Sequence, residues 1–131
     1  MGAAPLRHER HYTRAQANAA RPWVAQRLER MRSAIAELGA TGAREALSRI
    51  DSDAGGGFPG RPVARALLEL QTALSELQEV DIVVRDAERG LVDFPSVRDG
   101  EEVYLCWLES GEQEIGWWHE PDAGFAGRQP L

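Results

Sequence analysis

Residues 83–128 read VVRDAERGLVDFPSVRDGEEVYLCWLESGEQEIGWWHEPDAGFAGR, and this stretch decides the fold. Short runs of β-branched and aromatic residues alternate in it with acids and glycines of the kind that form turns, which is typical of a small antiparallel sheet. Asp99-Gly100, after Arg98, indicates a hairpin turn of the Asp-Gly kind. Proline 95 is expected to end the second strand. The pattern predicts strands at residues 80–85, 91–94, 102–108 and 115–119.

Before this stretch the apolar residues change to helical spacing. Thr13 and Gln16 form a capping-box pattern that begins a first helix. Pro22 predicts a kink or a restart within that helix, and Gly39 predicts its end. Pro62 suits the first turn of a second long helix. Apolar residues recur at spacings of 4 and 3 in both helices: Val24, Leu28, Met31, Ile35 and Leu38 in the first, and Val63, Leu67, Leu70, Leu74 and Leu77 in the second.

These elements predict one α+β domain over residues 1–131. The predicted long antiparallel helical hairpin at 13–80 includes a short helix at 42–50 and a flexible glycine-rich loop at 51–61. A small, mostly antiparallel four-stranded sheet at 81–120 follows it, and an irregular C-terminal tail at 121–131 closes the chain. A single helical hairpin buries too little by itself, so its stripes are expected to pack on the sheet or on a second copy of the chain.

Composition narrows the classes of function. All 15 basic residues are arginine, which excludes a Schiff-base lysine and a phosphate-loop lysine. Residues 1–80 carry 11 arginines against 9 acidic residues, and residues 81–131 carry 4 against 12, so the second half would repel a phosphate backbone. No apolar run approaches the roughly 20 residues of a membrane span. A single cysteine agrees with a reducing cytoplasm, which is the predicted location.

Several motifs together point to a known family. They are Tyr12-Thr13, Ala17-Asn18, Pro22, Arg85-Asp86, Gly90-Leu91-Val92-Asp93-Phe94-Pro95, Leu105-Cys106-Trp107, Gly111-Glu112, Trp118-His119 and Gly124-Phe125-Ala126-Gly127-Arg128. The chain resembles, over nearly its whole length, a bacterial family of small proteins known as domain-of-unknown-function family 2203. The resemblance implies no activity. The chain departs from the family pattern at Asp81, where a glycine is expected, and at Ala15-Gln16, which replace an acidic pair.

His119 is the first candidate for chemistry. It follows two tryptophans, and the sheet could bring Asp93 close to it, so it could act as a general base or as a ligand of a divalent metal. The predicted metal ligands are His119, Asp93 and Glu114. The alternative is a histidine that hydrogen-bonds locally and braces the C-terminal loop. Cys106 is expected to be a small hydrophobic core residue under the helices.

A wider set of side chains could form a surface that binds a ligand or a partner. Two arginines in it could clamp a carboxylate or phosphate, and the alternative is ion pairing that fixes the turns and the tail. Neighbouring tryptophans must point to opposite faces of a strand, so one of them is expected to be exposed or to wall a groove. The set is Arg85, Asp86, Glu88, Asp93, Trp117, Trp118, His119 and Arg128.

Two classes of function follow from these observations. The first is a non-catalytic binding or interaction module that self-associates through its helices, with the Trp117–His119 region and Asp93 as its recognition surface. The second is a metal-binding protein or small metalloenzyme that uses His119 with Asp or Glu partners. We expect a homo-oligomer and no membrane partner. Nucleic-acid binding through the N-terminal arginines ranks last. The sequence does not identify a small-molecule ligand.

Overall fold

The computed structural model describes residues 5–39 and 60–131 of the chain. The predicted short helix at 42–50, and all of the predicted loop except its last two residues, lie outside the described residues. Within this part no helix has the length and apolar composition that crossing a membrane requires. The elements are helices α1 (Arg14–Leu38) and α2 (Arg61–Glu79), strands β1 (Val83–Asp86), β2 (Leu91–Arg98), β3 (Glu101–Leu108), β4 (Trp117–His119) and β5 (Gln129–Pro130), and a 3-10 helix at Phe125–Gly127.

The α+β prediction is confirmed, but the sheet has five strands and not four. All neighbouring strands are antiparallel, and their order in the sheet is their order in the chain. The extra strand is β5, which lies in the tail that was expected to be irregular and which pairs with β4. β5 has only two residues, so no alternation of apolar and polar side chains marks it in the sequence.

Strand β2 continues through Pro95 to Arg98, so the prediction that proline ends it is wrong. The reason is that β1 pairs only with residues 91–93, so β2 has no hydrogen bonds to β1 beyond Asp93. A residue without an N–H is tolerated at such an unpaired edge. The N-terminal segment uses the same edge, because the Tyr12 N–H donates to the Pro95 carbonyl at 2.7 Å. The predicted Asp99-Gly100 turn is confirmed, with φ angles of 53° and 80°.

Helix α1 begins with the predicted capping box of Thr13 and Gln16 and ends at Gly39. It does not restart at Pro22, because the helix is continuous over 25 residues. Proline lacks the N–H that the Asn18 carbonyl would accept, and Arg21 Nε donates to that carbonyl at 3.2 Å instead. The Asn18 side chain accepts a bond from the Ile115 N–H at 2.9 Å, as expected for a residue that caps a neighbouring loop.

The hydrophobic core lies between the two helices and one face of the sheet. Strands β2 and β3 contribute Val92, Phe94, Leu105 and Trp107 to it, and all four are at most 4% exposed. The predicted apolar stripes are only partly buried. In α1 the core contains Ala34 rather than the predicted Ile35, and in α2 it contains alanines in addition to only part of the predicted leucine stripe. The buried helix residues are Ala17, Val24, Leu28, Met31 and Ala34 in α1, and Ala66, Leu70, Ala73 and Leu77 in α2.

Cys106 does not lie under the helices, so that prediction is wrong. It shares a strand with Leu105 and Trp107, whose side chains face the helical core, and it therefore points to the opposite face. That second face, which carries Asp93, Tyr104, Cys106, Trp117 and His119 and lies away from the helices, is called here the polar face.

The N-terminal segment before α1 is held by two carboxylates, Glu102 on β3 and Asp81 in the turn before β1. Glu102 accepts hydrogen bonds from the backbone N–H groups of Arg7 and His8 and lies 2.7 Å from His11 Nε2. Asp81 accepts from the Arg10 N–H at 3.0 Å and has a left-handed backbone with φ of 64°. Aspartate tolerates that conformation better than most residues, which explains how an acid can stand where a glycine is expected.

Replacing Glu102 with glutamine should destabilise the protein and flatten the acid side of its pH–stability curve. Burial raises the pKa of Glu102, but bonds from Arg7, His11 and His8 outweigh it and hold the pKa below its usual value. Its contribution is therefore complete above the unfolded pKa of about 4.3 and is lost as the pH falls through the lower folded value. We expect Glu102→Gln to cost about 1–3 kcal/mol at pH 7, measured by urea unfolding.

Glu101→Gln is the matched control, because its side chain is exposed on the same strand. A Glu102→Gln curve that parallels the wild-type curve down to low pH would contradict the role given to this carboxylate.

Candidate metal centre

Three side chains that can ligate a metal meet on the polar face. Asp93 comes from β2, Cys106 from β3 and His119 from β4. The register pairs Asp93 directly with Cys106, and it places His119 opposite Tyr104, two residues along the same face from Cys106. One ligand atom of each residue lies within 4.8 Å of the other two, and all three residues are buried. Three neighbouring strands thus aim an imidazole, a thiol and a carboxylate at one point.

The orientation of His119 is set by a backbone group. Its Nδ1 lies 2.7 Å from the carbonyl oxygen of Glu120, so Nδ1 carries the proton and donates it. In the neutral ring the lone pair is then on Nε2. That atom faces inward and lies 3.0 Å from Asp93 Oδ1.

Each oxygen of Asp93 lies beside a different nitrogen. Arg85 Nε donates to Oδ2 at 2.9 Å. Oδ1 is fully buried and lies 3.0 Å from His119 Nε2, which forms an ion pair with it when the ring is protonated, although the two atoms do not meet in hydrogen-bond geometry. A buried carboxylate oxygen without a partner is costly. A proton on Nε2, or a metal ion between Oδ1 and Nε2, would remove that cost.

Cys106 is held beside an arginine. Its Sγ lies 3.9 Å from Arg128 Nη1, and the same nitrogen binds the Glu112 carboxylate at 3.0 Å. The Arg128 guanidinium also lies over the rings of Trp117 and Phe125, at 4.8 and 4.2 Å from their centroids. These contacts leave the guanidinium little freedom.

The surroundings of His119 favour positive charge. Burial lowers the pKa of His119, but Asp93, Cys106 and the Glu120 carbonyl together outweigh burial and raise the pKa to about 10. The physical cause is the negative and partly negative oxygen and sulfur atoms around the ring. A proton on the ring is thus stabilised at neutral pH, and a metal ion bound at Nε2 would have to displace it.

Other residues that the sequence singled out are not part of this cluster. Glu114 is exposed in the turn before β4 and is not among the three converging ligands. Asp86 accepts from the Arg89 N–H at 3.1 Å and so caps the β1–β2 turn, where Glu88 is exposed. The sequence placed Cys106 in the core and missed it as a site residue. Its pairing opposite Asp93 is the signal that identifies it.

Trp117 and Trp118 lie on opposite faces of β4, as predicted. Trp117 pairs with Cys106 on the polar face, whereas Trp118 packs against the helical core and lies 4.6 Å beneath the Arg98 guanidinium. Both are partly buried. Trp118 also lines an open cavity of about 890 Å³ between the N-terminal segment and the β2–β3 turn. The expectation of a tryptophan that walls a groove fits this position.

A smaller cavity opens directly onto the three converging side chains. Its volume is about 380 Å³, within the range of small-molecule sites. Asp93, Cys106 and His119 form its floor, Arg85 contributes a charged wall, and Leu91 and Phe125 contribute apolar walls. The buried cluster therefore borders a cavity of small-molecule size.

Comparison with known protein families gives a match over most of the chain. The family model described as "Uncharacterized conserved protein (DUF2203)" matches residues 10–131. No curated protein and no solved structure matches the chain. The matched segment contains all three side chains of the cluster and both arginines beside it, and the description attaches no activity to them.

Proposed function

The chain belongs to the uncharacterized conserved protein family DUF2203, and on the geometry of its polar face we propose that it is a metal-binding protein with Asp93, Cys106 and His119 as ligands. The observation that carries the proposal is the convergence of three buried side chains, whose ligand atoms all lie within 4.8 Å of one another, with Asp93 Oδ1 at 3.0 Å from the inward nitrogen of His119. Metal coordination would use this oxygen, the imidazole lone pair and the thiolate together.

The set of donor atoms favours zinc. Zn²⁺ takes thiolate, imidazole and carboxylate ligands, at about 2.3 Å for sulfur and about 2.0–2.2 Å for nitrogen and oxygen. Two ligands bound at these lengths in a tetrahedron lie about 3.3 Å apart, close to the 3.0 Å between Asp93 Oδ1 and His119 Nε2. Three protein ligands leave the fourth position for water or a substrate, as in catalytic rather than structural zinc sites.

Contacts outside the ligands support the same interpretation. Metal-binding histidines commonly donate their second nitrogen to a carbonyl or carboxylate, and metal-binding carboxylates are themselves hydrogen-bonded. His119 donates to the Glu120 carbonyl, and Asp93 accepts from Arg85 through the oxygen that is not needed for the metal. Arg128 lies beside the Cys106 sulfur. Each ligand therefore has an outer contact, and its remaining donor atom faces the other two.

Elemental analysis of tag-free protein, purified without chelators, tests the proposal. We expect about one zinc ion per chain in the wild type and loss of it in His119→Ala, because two remaining ligands bind zinc poorly. Glu114→Gln is the control, since this acid is exposed and outside the cluster. Wild-type protein that stays metal-free after incubation with zinc and desalting would contradict the proposal and would favour a histidine that braces the C-terminal loop.

Self-association through the helices stays a separate prediction. Val63 and Leu68 on α2 are 38% and 63% exposed, so apolar side chains of this helix are free to contact a second copy. Sedimentation velocity over a range of protein concentrations tests it, and a monomer at all concentrations would contradict it. The interaction module and the cytoplasmic location are likewise predictions. A cytoplasmic location would suit a thiolate ligand, because the thiol must stay reduced to bind a metal.

A further inference from the structure

We infer that the fourth coordination position takes a small organic carboxylate, with Arg85 as its second contact. This inference rests on the proposed function, because one carboxylate oxygen would bind the metal. The other oxygen would accept hydrogen bonds from Arg85. The ligand class follows from the free donors of Arg85, from the charge of the metal-loaded site and from the walls of the small cavity.

Arg85 has free hydrogen-bond donors where it lines the small cavity. Its Nε is used by Asp93, at 2.9 Å from Oδ2, and this bond ties the guanidinium to a metal ligand. Its carbon Cζ lies 5.2 Å from the centre of the Tyr104 ring. The two terminal nitrogens donate to no described residue, and the side chain is 43% exposed where it lines the cavity. A planar fork of free N–H groups is the geometry that recognises a carboxylate.

The charges at the site select a monoanion. The thiolate of Cys106 and the carboxylate of Asp93 cancel the two charges of the metal, and His119 binds it as a neutral ring. Arg128 is balanced by Glu112 at 3.0 Å. The positive charge of Arg85 is then left over. Asp122 at the mouth of the cavity would oppose an anion, but both of its oxygens are paired with Arg7, at 3.1 and 3.0 Å.

The shape of the cavity indicates what the carboxylate carries. A volume of about 380 Å³ admits a small molecule and excludes a folded partner. Leu91, Pro121 and Phe125 line it beside the charged groups, and Phe125 is 43% exposed. Apolar walls gain free energy only by covering apolar surface. The ligand is therefore a carboxylate with an apolar or aromatic substituent.

Binding of benzoate to the Co²⁺-loaded protein tests the inference. Co²⁺ replaces Zn²⁺ in such sites, and its visible absorption changes when a ligand enters its coordination sphere. We expect benzoate to shift the spectrum saturably and benzamide, its neutral analogue, to leave the spectrum unchanged. In Arg85→Gln the dissociation constant for benzoate should rise by about tenfold or more, because a hydrogen bond between two charged groups is lost.

The outcomes separate the two proposals. A wild-type protein that gives no Co²⁺ spectrum overturns the metal centre, and the carboxylate site with it. A normal Co²⁺ spectrum that benzoate does not change, or that benzamide changes equally, overturns the carboxylate site alone. If wild type and Arg85→Gln bind benzoate with equal affinity, Arg85 is not a contact of the carboxylate. If Arg85→Gln fails to bind Co²⁺, the wild-type comparison of benzoate with benzamide still decides the ligand class.

Discussion

Removing zinc from the wild-type protein should lower its free energy of unfolding by about 4 kcal/mol, compared with protein at a free zinc concentration 1,000 times the dissociation constant. The ligands come from three different strands, and they converge only in the folded sheet. An ion that binds the native state and not the unfolded chain stabilises the native state by mass action. Urea unfolding with buffered zinc and with chelator measures the difference.

Cys106→Ser should abolish most of this difference. Serine is close to cysteine in size, but its hydroxyl does not lose its proton at neutral pH and is a poor zinc ligand. The zinc-free stabilities of the two proteins can be compared directly, which separates the loss of metal from damage to the fold. Wild-type protein that unfolds at the same urea concentration with and without zinc would contradict the prediction.

Phe94→Ala should cost about 3–5 kcal/mol, the largest loss that we expect from one core substitution. Phe94 is 0% exposed, faces the helical core from β2, and contacts the Tyr12 ring edge-on with centroids 5.5 Å apart. Truncation leaves a cavity and removes this aromatic contact. The free energy of unfolding from urea titration, without zinc, measures the loss.

Val97→Ala is the matched control for Phe94→Ala. Val97 lies on the same strand but on the other face, and it is 50% exposed. Its truncation should change the free energy of unfolding by less than about 1 kcal/mol. Similar losses in the two variants would contradict the placement of the core on the helical face of β2.

Features that depend on neighbouring residues could be predicted from the sequence. The Thr13–Gln16 capping box and the Asp99-Gly100 turn are set by side chains and backbone angles within a few positions, and both were predicted correctly. The short strand β5 could not be predicted, because its place is fixed by pairing with β4, a non-local contact. The continuity of β2 through Pro95 likewise depends on how far β1 extends along it.

The candidate site shows the same division. Alternation along β3 places Cys106 on the face opposite Leu105 and Trp107, but a period of two gives two faces and does not say which one the helices cover. Both faces of β3 carry large apolar or aromatic residues, so apolar content did not decide the question. The approach of Asp93 to His119 was anticipated from the sheet. Glu114 is near His119 in sequence, but the turn leaves its side chain exposed.

X-ray absorption at the zinc edge of the loaded wild-type protein tests the metal centre most directly, because it counts ligands by element. We expect one sulfur at about 2.3 Å, with the remaining ligands nitrogen or oxygen at about 2.0–2.2 Å. Cys106→Ser should retain little zinc after desalting, because only two of the three ligands remain. A wild-type spectrum with oxygen and nitrogen alone would place the metal away from Cys106 and contradict the assignment of Asp93, Cys106 and His119 as its ligands.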